Sequence, residues 1–121
     1  MLEEDKHIQQ HPGEPPRRWF SDEEIDLIVW TGEVGFTGFQ LCYNKQEDEH
    51  ALAWNRDRGY QHFRVDMGEP GSLKNLSPMM AEDGLIDIAD LVLDFNNRAQ
   101  RIDPAVRQFV LEKLAEVKLE E

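Results

Sequence analysis

The chain has 121 residues, 40% of them hydrophobic and 31% charged, with a formal net charge of −12. That length suits one domain that buries roughly two thirds of its unfolded surface, without a disulfide or structural metal. The acidity argues against nucleic-acid binding and anionic membrane surfaces, because both call for basic stripes and only Arg17-Arg18 and Arg56/Arg58 group together.

No run of about 18 apolar residues is present, so no membrane span is expected. Met1-Leu2-Glu3-Glu4-Asp5 lacks the basic-then-apolar order of a secretory leader. The single cysteine, Cys42, has no intramolecular partner, so a reducing cytoplasm is the expected location.

Residues 1–18 hold three prolines, Gly13, two His and two Gln, and read as a flexible N-terminal arm; residues 19–121 form the domain. Order is expected to begin at Trp19-Phe20. Ser21 and Glu24 have capping-box spacing. The residues that follow alternate as a strand does, so that pattern predicts one helical turn at most.

Four strands are predicted: Ile25–Trp30, Thr37–Tyr43, His50–Asn55 and Tyr60–Asp66. Each is rich in aromatic and aliphatic residues, and short polar or Gly-bearing connections separate them, as in an antiparallel meander. Pairing Val29 with Thr37, and Leu52 with both Leu41 and Phe63, gathers one apolar face. Ile25, Leu27, Val29, Phe39, Leu41, Tyr43, Leu52, Trp54, Phe63 and Val65 lie on it.

Past the turn cluster Gly68–Ser72, residues 73–84 carry no clear periodicity. A helix is predicted from Asp87 to Arg101 on the stripe Ile88, Leu91, Val92 and Phe95. A second starts with Asp103 as N-cap and Pro104 at the first helical position, where a missing N–H costs nothing. The expected fold is therefore α+β, a four-stranded antiparallel β-meander with two C-terminal α-helices packed on one face.

The same register assigns Trp30, Phe36, Gln40, Tyr60, His62 and Arg64 to the second face, around small residues such as Gly38, Ala51 and Ala53. Aromatics and Arg dominate interface energetics, so these six are the candidate binding residues. The expected function is non-enzymatic: a protein-interaction or self-associating module acting through that face, alone or as a homodimer. The face is also open to coverage by residues 68–84 or by the arm.

The alternative is a small-molecule-binding protein or small enzyme using Cys42, His62 and Asp26. A nucleophilic thiolate needs an adjacent base or cation. The assumed register instead puts Ala51 beside Cys42 and leaves His62 two strands away. A third reading, mimicry of a nucleic acid by the acidic surface, needs phosphate-like spacing, and the carboxylates are scattered.

No metal or cofactor is implied. His7 and His11 would ligate only on a helix, which Pro12-Gly13 oppose. Glu47-Asp48-Glu49-His50 lacks the glycine turn of a calcium loop. Gly32, Gly35 and Gly38 do not open a helix as a phosphate loop does.

Overall fold

A computed structural model describes residues 1–8, 10, 12–13, 15–45, 49–64, 77–78 and 88–117. Among them the sheet has six antiparallel strands rather than four, in sequence order. They are β1 Glu3–Asp5, β2 Arg17–Ser21, β3 Asp26–Gly32, β4 Gly35–Tyr43, β5 His50–Asn55 and β6 Gly59–Arg64. A two-residue segment, Ser77–Pro78, pairs with β6 on its outer side. Two helices follow, α1 Ile88–Arg98 and α2 Pro104–Val117. The α+β class and the two helices agree with the sequence-based expectation; the strand count does not.

The two additional strands come from the N-terminal region. β1 is Glu-Glu-Asp, with no apolar residue to signal a strand, and β2 begins with two arginines directly after Pro15-Pro16. Their pairing is held from both sides. Leu2 is fully buried, and its amide donates to the Arg98 carbonyl at 2.8 Å. Arg18 meets Glu4 of β1 through two hydrogen bonds of 2.8 and 2.9 Å and reaches Asp103, ahead of α2, at 3.1 Å.

The predicted helical turn after Ser21 is an Asx turn instead. Asp22 Oδ1 accepts from the amides of Glu24 and Ile25 at 2.8 and 2.9 Å, and the Asp22 amide donates to the Ile25 carbonyl. Asp22 thus closes the β2–β3 hairpin.

Two register differences decide what each face carries. Gly32 pairs with Gly35 across the two-residue turn Glu33-Val34, and the pairing then shifts so that Val29 meets Phe39, not Thr37. Thr37 is the extra residue of a β-bulge. The shift from the expected pairing is two residues, so Phe39, Leu41 and Tyr43 keep their face. On the far side of the bulge Phe36 changes face.

The β5–β6 loop is three residues long, closing at Asn55 and Gly59, and Gly59 adopts φ +75°. A three-residue hairpin loop with a left-handed glycine at its end fixes the register. Leu52 therefore pairs with His62, and Ala51 with Phe63. The expected pairing of Leu52 with Phe63 is off by one residue, which exchanges the two faces of β6.

The helices cover the face formed by Phe20, Leu27, Val29, Phe39, Leu41 and Leu52, all fully buried. α1 contributes Ile88, Leu91 and Phe95; α2 contributes Val106, Val110, Leu114 and Val117 at helical spacing. At about 1.5–3 kcal/mol per fully buried large side chain, this face is the main source of stability. The α2 start follows the predicted cap: Asp103 Oδ1 accepts from the Ala105 amide at 2.9 Å.

Candidate functional site

The observed register orders the second face into three cross-strand rows. The first is Arg17–Trp30–Gly38–Asn55–Gly59 and the next Trp19–Ile28–Gln40–Ala53–Gln61. The third is Ser21–Asp26–Cys42–Ala51. Trp19 and Trp30 are diagonal neighbours across β2 and β3, both half-buried, and the Arg17 guanidinium lies 5.8 Å from the Trp19 ring centre. Beside them the surface is low. A Cβ at Gly38 would stand 2.7 Å from the Trp54 carbonyl oxygen, so only glycine lets β4 and β5 approach there.

Of the six residues assigned to this face from sequence, Trp30 and Gln40 are on it. Phe36, Tyr60 and His62 are not. The bulge turns Phe36 towards the helices, where its ring stacks on Phe109 at 4.8 Å. The one-residue change in β6 brings Tyr60 and His62 to the helix-covered face, and the Arg64 backbone pairs with that of His50. Tyr60 Oη donates to the Lys113 carbonyl of α2 at 2.7 Å. Arg17 and Trp19 take their place, missed because this stretch carries too little periodicity to read as a strand. The available signal was the two adjacent aromatics Trp19-Phe20, which sit on opposite faces of the strand.

The alternative set is dispersed by the same register. Asp26 and Cys42 are cross-strand partners on the second face, while His62 is fully buried on the other side of the sheet. Asp26 is engaged by the Lys45 ammonium at 2.9 Å, which also donates to the Asp22 carbonyl. Cys42 is buried, and burial pushes its thiol up to about 11. The Gln40 amide, donating to Cys42 Sγ at 3.5 Å, opposes part of that shift, whereas the Glu49 and Asp26 carboxylates add to it. A thiol so placed is protonated at neutral pH and is a weak nucleophile.

A second polar cluster, absent from the sequence-based candidates as a group, sits inside the core face. Tyr43, His50 and His62 are buried, and their rings stack almost in parallel across β4, β5 and β6. The imidazoles are 5.3 Å apart between centroids, and Tyr43 Oη is hydrogen-bonded to His62 Nε2. The lone pairs of parallel rings point along parallel planes and do not converge on a shared ion. Recognising the cluster from sequence required the three-residue length of the β5–β6 loop, which puts His50 and His62 on one face.

Among the described residues, no group of three or more His, Cys, Asp or Glu side chains is arranged to hold a metal ion. His11, Glu47 and Asp48 lie outside the described residues, as does the expected coverage of the second face by residues 68–84 apart from Ser77–Pro78. No described helix is long and apolar enough to cross a membrane. Comparison with protein-family models, curated proteins and solved structures returns no match for this chain.

Proposed function

We propose that this protein is a non-enzymatic interaction module that binds a protein partner through the second sheet face. Trp30 and Gln40 are its contact residues, with Arg17 and Trp19 beside them. The observation that carries the proposal is the half-buried Trp19–Trp30 pair with Arg17 over Trp19, next to the low ground of Gly38 and Ala53. Large aromatics and Arg at the centre of a surface are the side chains that supply most binding energy in protein interfaces. The partner is a different protein or a second copy of this chain. A single buried thiol suits a reducing cytoplasm.

The test is the combined variant Trp19→Ala/Trp30→Ala against the intact protein. Sedimentation velocity over a range of concentrations reads self-association, and affinity capture with both proteins as bait reads a different partner. The expected result is association or capture by the intact protein that falls at least about tenfold in the variant, while unfolding stays cooperative. A monomeric intact protein whose captured species are all retained by the variant overturns the proposal.

A further inference from the structure

We draw no further inference here: the strongest candidate, the buried Tyr43–His50–His62 stack on the helix-covered face of β4, β5 and β6, is packed within the core, and its parallel rings converge on no ligand.

Discussion

Gln61 and His62 are consecutive residues of β6 with opposite surroundings. His62 is fully buried, bonded to Tyr43 and stacked on His50, on the face that carries both helices. Gln61 is half-buried on the other face, in the row of Trp19, Ile28, Gln40 and Ala53. The contrast holds across the sheet. The helix-covered face has a continuous apolar centre, closed by polar pairs at its margins: Arg18 with Glu4, Tyr60 with the Lys113 carbonyl, and Tyr43 with His62. The second face has small side chains over β4 and β5 and its two tryptophans over β2 and β3. The apolar centre therefore lies on one face, while on the other Trp19 and Trp30 are only half-buried.

The strongest way to break that comparison is to truncate a large aromatic on each face. Phe39 is fully buried and meets the Phe109 ring edge-on at 6.0 Å. Phe39→Ala is expected to cost about 3–5 kcal/mol in urea denaturation, the usual range for a core Phe. Trp30→Ala, from a half-buried position, should cost about 1 kcal/mol. Equal losses would mean that the second face is as much a part of the core as the first.

A finer division lies within β6. His62→Ala removes a buried ring and leaves Tyr43 Oη without that partner, an expected loss of about 1–3 kcal/mol. Gln61→Ala should stay within about 0.5 kcal/mol. The order of the two midpoints reads the register directly, because a slip of one residue would reverse it.

That slip marks the limit of what the amino-acid pattern conveys. β5 was legible to the residue, β3 and β4 to within a few residues at each end and β6 to one residue at its start, because aromatic and aliphatic side chains concentrate there, while Val65 and Asp66 of the predicted strand lie outside the described residues. Asp103-Pro104 announced the second helix through chemistry that suits few other positions. β1 was not legible. An acidic edge strand gains its place from the Leu2 bond to the end of α1 and from the Arg18–Glu4 pair, contacts between residues distant in sequence.

The site suffered most, for a definite reason. Face assignment has a period of two, so one unrecognised bulge residue, Thr37, and one misjudged loop length, Arg56–Arg58, were enough to move Phe36, Tyr60, His62 and the position of Arg64. Gln40 escaped because it lies between those two irregularities, and Trp30 because it precedes both. Glycines at 35 and 59 hinted at both, but hairpins of several lengths accept a glycine there.

Acid sharpens the comparison at the rim of the helix-covered face. The Asp22 side chain is almost fully buried, 2% exposed, and is paired with Arg98 at 3.0 Å. Burial alone would raise its carboxyl, but the amides of Ile25 and Glu24 and the Arg98 guanidinium outweigh that and hold it below the usual carboxylate range. With the folded value below the unfolded one, its stabilisation is present above the unfolded pKa and is lost as pH falls through the folded pKa. Glu4 behaves likewise, held down chiefly by its hydrogen bonds from Arg18. Stability should therefore decline as pH drops below about 4. Asp22→Asn keeps an oxygen for the Asx turn but removes the charge. It should lower stability at neutral pH by about 1 kcal/mol and make the acid decline shallower. An unchanged acid limb would show that Asp22 does not anchor α1 to the β2–β3 hairpin.

The smallest effect is expected at the centre of the second face. Gln40 is half-buried, and sulfur is a weak acceptor, so Gln40→Ala should change stability by no more than about 0.5 kcal/mol. Its value lies in the thiol it touches. With the Cys42 thiol raised to about 11 by burial, the thiolate fraction at neutral pH falls by roughly two orders of magnitude against an unfolded cysteine. Alkylation by iodoacetamide should accordingly be far slower in the folded protein than in urea. The Gln40 amide favours the thiolate, so removing it should leave the folded rate unchanged or lower. Faster alkylation of folded than of unfolded protein would reverse the assignment of Cys42 as a packed residue. The second face would then have to be treated as a chemically active surface, and Asp26, Lys45 and Gln40 as the groups that tune it.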